Sequence, residues 1–184
     1  MTLLLVTGLL PPSDAQATTA LFLTDSEQAE LSTAVVIASV GAQRVGFNEN
    51  LKTTVTRTRL EVLEVLSGAA PPTVEIEQVG GQLGERFVSL PGDAKLVPGE
   101  LCVLFLFKNS QGWYLTALQQ SKYSLSRGKD GVRTLSRKLG DGIVRRDSEG
   151  HLVPASTSER RSTTSLEDFR LLLKTLAPAK ETIR

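Results

Sequence analysis

The fold is decided by one stretch, Val97-Pro98-Gly99-Glu100-Leu101-Cys102-Val103-Leu104-Phe105-Leu106-Phe107. Pro98 fixes the φ of the second position of a turn, and Gly99 accepts the positive φ that a type II turn requires next. The apolar run 101–107 is too short for a typical helix and contains β-branched and aromatic residues. It predicts a strand that is buried on both faces, at the centre of a β core.

Shorter strands are predicted on either side of this one. The apolar run 34–40 indicates an interior strand. Residues 53–66 indicate a long strand whose apolar positions change phase between Val62 and Leu63, which predicts a β-bulge there. Further strands are predicted over residues 73–79, 86–90, 113–118 and 122–125. Because short turns and no helices separate them, the pattern predicts a mainly β protein, an antiparallel barrel or sandwich.

Two helices are predicted at the ends of this β region. Thr24 and Glu27 have the spacing of a capping box, which predicts a short helix to about residue 32. Thr164 and Glu167 have the same spacing and predict a C-terminal helix over 164–177. Its apolar stripe consists of Leu166, Phe169, Leu172, Leu173 and Leu176. We expect this stripe to pack on the barrel, with a partner-binding helix as the alternative.

The first 17 residues have the order of a secretory signal peptide, although the positively charged n-region is missing. An apolar run, 3–10, is followed by Pro11-Pro12 and by Ala15-Gln16-Ala17, an A-x-A cleavage pattern. We expect cleavage after Ala17 and a secreted or periplasmic protein; a buried N-terminal strand is the alternative. The domain organisation is then a signal peptide (1–17), a β-barrel domain (18–153), a linker (154–163) and the C-terminal helix.

Composition excludes few classes of protein. The chain has 21 Lys and Arg against 20 Asp and Glu, a net charge of +1, so bulk charge favours neither nucleic acid nor a membrane surface. No apolar run approaches the roughly 20 residues of a spanning helix, so no transmembrane segment is expected. Cys102 is the single cysteine, which makes an internal disulfide impossible and predicts a small buried hydrophobe.

No catalytic motif is recognisable. The chain has one histidine and one cysteine and lacks a P-loop, a G-x-S-x-G elbow and an H-E-x-x-H pair. His151 follows Gly150 in a polar turn, where a surface histidine is expected. Glu75 and Glu77 share one face of a strand, and a solvent-exposed sheet face explains both carboxylates. We therefore expect no enzyme, no cofactor and no metal. A small hydrolase that uses carboxylates or a Ser/Lys arrangement is the alternative.

Two surfaces are candidates for binding. The first is a basic hairpin over 122–146, whose candidate residues are Lys122, Tyr123, Arg127, Lys129, Arg133, Arg137, Lys138, Arg145 and Arg146. Such a patch suits a protein or an anionic polymer, whereas the scarcity of exposed aromatic residues predicts no nucleic-acid partner. A solvated hairpin explains the same charges. The second is the loop with Gly80, Gly81 and Gly84, which a glycine hairpin also explains.

The strand order resembles netrin-like domains of the tissue-inhibitor-of-metalloproteinase type, and a group of exported bacterial proteins. The resemblance is carried by 34–40, Val62-Leu63-Glu64-Val65-Leu66-Ser67-Gly68, Thr73-Val74-Glu75-Ile76, Pro98 to Leu106 and Trp113-Tyr114-Leu115, with Leu166-Glu167-Asp168-Phe169-Arg170 for the bacterial group. It implies an OB-like five-stranded barrel used as a binding or inhibitory module. Such inhibitors use an N-terminal cysteine and disulfides, whereas this mature chain is expected to begin at Thr18, so no functional residue is transferred.

These observations predict an exported, non-enzymatic binding module for a protein or an anionic envelope polymer, with an inhibitor-like module as one form of it. The alternatives are the small hydrolase and a structural envelope protein that docks a partner through its C-terminal helix.

Overall fold

A computed structural model describes residues 19–176 of the chain, and the predicted signal peptide lies outside this range. The described part is mainly β. Its strands are β1 (Ala20–Leu21), β2 (Ala34–Asn48), β3 (Thr53–Gly68), β4 (Thr73–Leu83), β5 (Arg86–Ser89), β6 (Leu101–Lys108), β7 (Trp113–Leu115), β8 (Lys122–Arg127), β9 (Arg133–Lys138), β10 (Ile143–Arg146), β11 (Leu152–Pro154) and β12 (Arg161–Ser165). Its helices are α1 (Asp25–Leu31), α2 (Thr157–Arg160) and α3 (Leu166–Leu176), and a 3₁₀ turn spans Leu118–Ser121.

Five strands close into a barrel in the order β2, β3, β4, β7, β6 and back to β2. All neighbours are antiparallel except β4 and β7, which meet in parallel at Ile76 and Trp113. This is the connectivity of an OB-type barrel, so the predicted OB-like fold is confirmed. The first and second barrel strands are joined by the loop 49–52, and the fourth and fifth by the loop 109–112.

The decisive stretch forms the predicted turn and central strand. Gly99 has a φ of 86°, and the Glu100 amide donates to the Val97 carbonyl oxygen at 3.0 Å. On β6, Cys102, Leu104 and Leu106 point into the barrel, whereas Val103 and Phe105 point into a second core outside it. Alternation along one strand therefore fills two cores, which confirms burial on both faces.

The predicted β-bulge lies where the apolar pattern changes phase. Ala38 of β2 pairs with Val62 of β3, but the preceding Ile37 pairs with Glu64, so Leu63 is the extra residue. Val62 packs against the barrel core, while Leu63 is 59% exposed. The extra residue bends β3 and helps the small barrel to close.

The sheet continues beyond the barrel, because β8 pairs with β6, β9 with β8, and β12 with β9. The second core lies between this extended sheet and the helices α1 and α3. Thr24 caps α1 with the predicted capping box. None of the helices in the described part is long and apolar enough to cross a membrane.

The structure corrects two sequence expectations near the C-terminus. Residues 154–163 are not a linker, because α2 and the first part of β12 lie there and β12 is paired with β9. The backbone amide of Asp168 donates to Ser165 Oγ at 3.0 Å, so Ser165, not Thr164, caps α3. Thr164 instead pairs with Leu135 in the sheet.

Candidate functional site

The nine candidates of the basic hairpin do not form one continuous surface. Tyr123 and Arg137 are buried, and both contact Asp25: the Tyr123 hydroxyl donates to its carboxylate at 2.9 Å and Arg137 Nη1 lies 3.1 Å from Oδ1. The ammonium group of Lys122 lies 2.6 Å from the Glu100 carboxylate. These three residues stabilise the fold, because their polar groups are already paired inside it.

The remaining candidates are exposed and lie on different elements. Arg145 lies 3.6 Å from Glu159, and Arg133 lies 3.9 Å from Glu167. Arg146 donates to the Gly150 carbonyl oxygen. Four candidates form no ion pair with any residue of 19–176: Arg127, Lys129, Lys138 and Arg146. A binding role for any of these residues stays a prediction.

The predicted glycine loop is mostly strand. Gly80 and Gly81 belong to β4 and pair with Ser89 and Val88 of β5, so only Gly84 lies in the turn, with a φ of 61°. A Cβ on Gly81 would lie 2.8 Å from side-chain atoms of both Thr56 and Val45. Close packing of the hairpin on β2 and β3 therefore explains Gly81.

A cleft of about 620 Å³ lies across β3 and β4, flanked by the loops 49–52 and 109–112. We call it the aromatic cleft. Its aromatic lining consists of Phe47, Phe107, Trp113 and Tyr114. The whole chain has only six phenylalanines, two tyrosines and one tryptophan, so four of its nine aromatic residues are gathered here. In OB folds this face and these two loops form the usual ligand-binding surface.

Asparagine side chains hold both flanking loops. Asn48 Oδ1 accepts from the amides of Asn50 and Leu51 at 2.9 and 3.1 Å. Asn109 Oδ1 accepts from the amides of Gln111 and Gly112 at 2.8 and 3.1 Å. Such Asx turns fix a loop without help from a ligand. The cleft is therefore largely formed before anything binds, which reduces the entropic cost of binding.

The polar lining of the cleft is acidic on balance. Glu49, Glu75 and Glu77 line it with a single arginine, Arg57. Arg57 lies 2.7 Å from Glu77, and Glu75 lies 2.7 Å from Arg44 of β2, on the far side of the intervening β3. Glu49 is paired as well, with Lys52 at 3.2 Å, so basic side chains largely neutralise the carboxylates of the cleft. The absence of a nucleic-acid partner stays a prediction.

Some polar groups of the cleft remain available for a ligand. The side-chain amides of Asn50 and Gln111 and the hydroxyl of Tyr114 form no hydrogen bond with any other residue of 19–176. Lys108 covers part of Trp113, with its ammonium nitrogen 5.5 Å from the ring centroid. The arrangement thus offers ring faces next to neutral hydrogen-bonding groups.

Sequence reasoning missed this cleft. Six of the nine aromatic residues are half-buried or exposed, whereas the sequence suggested that most were buried. The overlooked signal is that each loop is bordered by aromatic residues: Phe47 precedes the first, and Phe107 and Trp113 surround the second. Only closure of the barrel shows that the two loops flank one cleft.

No metal centre is apparent, since residues 19–176 contain no group of three or more His, Cys, Asp or Glu side chains placed to hold an ion. No protein-family model matches the chain, and comparisons with curated proteins and with solved structures find no match either. The resemblance to netrin-like domains therefore stays a prediction.

Proposed function

We propose that this chain is an exported, non-catalytic binding module that holds a neutral oligosaccharide in the aromatic cleft. The supporting observation is the concentration of four aromatic side chains between two preformed loops. Aromatic rings bury the apolar faces of sugars, and amide, hydroxyl and carboxylate groups can bond their hydroxyls. The volume of about 620 Å³ is typical of sites for ligands of a few hundred daltons.

The cleft also bears on the alternative of a hydrolase. A glycosidase needs two carboxyl groups that flank the scissile bond, one of them available as an acid. Glu75 and Glu77 share one face of β4, but each is engaged by an arginine at 2.7 Å. Their pairing supports a role in organising the cleft rather than in proton transfer.

Trp113 supplies a built-in probe because it is the single tryptophan and lines the cleft. We would titrate the protein with chitotetraose, cellotetraose and maltotetraose and follow tryptophan fluorescence. The proposal predicts a saturable change with at least one of them. Phe47→Ala and Phe107→Ala should each weaken that binding about fivefold, since each removes one ring contact.

Phe87→Ala is the matched control. Phe87 lies on β5 outside the cleft and is 74% exposed, so its loss should leave the affinity unchanged. Absence of saturation with every sugar, or equal weakening by the control, would contradict the proposal. Shortening of a sugar that Glu77→Gln abolishes would support the hydrolase instead.

A further inference from the structure

A second concave surface lies on the sheet extension and shares no lining residue with the aromatic cleft. One face of β8 and β9 packs into the second core through Tyr123 and Leu135. The opposite face carries a row of hydroxyls across three strands, because Ser124 pairs with Ser136 and Ser136 with Thr163. Beside this row, Lys138 of β9 lies directly opposite Arg161 of β12 in the sheet.

The loop that contains residues 93–95 completes a groove of about 530 Å³ over this face, which we call the hydroxyl groove. Its basic lining residues are Lys95, Lys122, Arg137, Lys138 and Arg161. Lys122 and Arg137 are neutralised by Glu100 and Asp25. The other three are exposed and form no ion pair within residues 19–176.

One carboxyl group, Asp93, also lines the groove. Its Oδ1 accepts a hydrogen bond from the Ala94 amide at 2.7 Å. Burial is the main influence on Asp93 and raises its pKa. Lys95, Lys138 and Arg161 therefore outnumber the opposing charge in the groove.

Ser124 Oγ already donates to Glu100 at 2.9 Å, which leaves the hydroxyls of Ser136 and Thr163 as the available donors of the row. Three unpaired cations beside these hydroxyls suit the oxyanions of a polymer, because both kinds of group donate hydrogen bonds to oxygen. No aromatic residue lines the groove, so unpaired nucleic-acid bases would find no ring to stack on. We propose that the hydroxyl groove binds an anionic polysaccharide through its sulfate or carboxylate groups. Of the sequence-predicted basic residues only Lys138 supplies an unpaired charge here, joined by Lys95 and Arg161.

The test measures binding of a heparin oligosaccharide (sulfated) and of polygalacturonate (carboxylated) by calorimetry at several salt concentrations. The double variant Lys138→Gln/Arg161→Gln should weaken binding about tenfold and reduce its salt dependence. Arg127→Gln/Lys129→Gln is the matched control, because it removes the same charge from exposed residues outside the groove. The control should retain affinity within about twofold.

Binding of either polymer with this pattern supports the inference, and the tighter of the two identifies the anion. Equal weakening by both double variants would overturn it, since bulk charge would then explain the binding. Absence of binding to both polymers, or equally tight binding of oligo-dT, would also overturn it. Because Trp113 and the aromatic cleft are untouched by these variants, failure here leaves the proposed function standing.

Discussion

At the scale of single residues, the buried thiol of Cys102 makes the stability of the fold depend on pH. Its side chain is fully buried inside the barrel. Burial, with a smaller contribution from the Glu100 carboxylate, raises the pKa of the Cys102 thiol from 9.0 to about 12. The unfolded chain therefore ionises this thiol at a lower pH than the folded protein does. The stability that the neutral thiol contributes is complete below pH 9.0 and is lost progressively as pH rises towards about 12.

We predict that Cys102→Ala destabilises the protein at neutral pH by about 1–2 kcal/mol, because it leaves a small cavity. The difference in unfolding free energy between wild type and variant should shrink by about 1.4 kcal/mol per pH unit above the ordinary thiol pKa. Urea unfolding across this alkaline range measures it. A difference that does not change with pH would show that the thiol is not protected from ionisation.

Asp25 is the centre of the buried polar cluster that ties α1 to the sheet. Arg137, whose side chain is 4% exposed, pairs with it and stacks on the Tyr123 ring at 4.5 Å. We predict that Asp25→Asn lowers the unfolding free energy by about 3 kcal/mol, because Arg137 keeps its charge without a counter-charge. Urea denaturation at neutral pH measures this loss.

The control for Asp25 is an exposed ion pair. Glu49 and Lys52 lie 3.2 Å apart with side chains 79% and 76% exposed. Glu49→Gln should change the unfolding free energy by less than about 0.5 kcal/mol. Similar losses for both variants would mean that the buried cluster contributes no more than a surface pair.

At the scale of elements, α3 belongs to the core. Phe169 is 2% exposed and packs edge-on against Phe105, with ring centroids 5.9 Å apart. We predict that Phe169→Ala destabilises the protein by about 3–5 kcal/mol. Leu171→Ala, on the same helix at a position 63% exposed, should have an effect below about 0.5 kcal/mol. Thermal unfolding distinguishes this from a helix reserved for a partner, for which Phe169→Ala would be nearly neutral.

The predictability of each element depends on whether its side chains carry the pairing information. The central strand could be predicted because its apolar run fills two cores. Pairing of β12 with β9 could not, since residues 161–165 read Arg-Ser-Thr-Thr-Ser and show no apolar alternation. Backbone hydrogen bonds hold this edge strand, and they require no particular side chains that the sequence would reveal.

At the scale of the whole molecule, closure of the barrel creates the candidate site. Trp113 pairs with Lys108 of β6 and meets Ile76 of β4, so the residue that closes the barrel also lines the aromatic cleft. The two loops are about 60 residues apart in sequence and meet only through this closure. The candidates of the basic hairpin do not share one surface, for the converse reason. Residues close in sequence were separated by alternation, because Lys122 and Tyr123 point to opposite faces of β8.

The most direct test of the central claim is amide chemical-shift mapping of the protein with the tightest-binding neutral tetrasaccharide of the titration panel. We predict that the shifted amides cluster in residues 47–51 and 109–114, which surround the aromatic cleft, with little change over 122–138. Shifts centred on the basic hairpin, or no shifts with any sugar of the panel, would contradict the assignment of this cleft as the binding site.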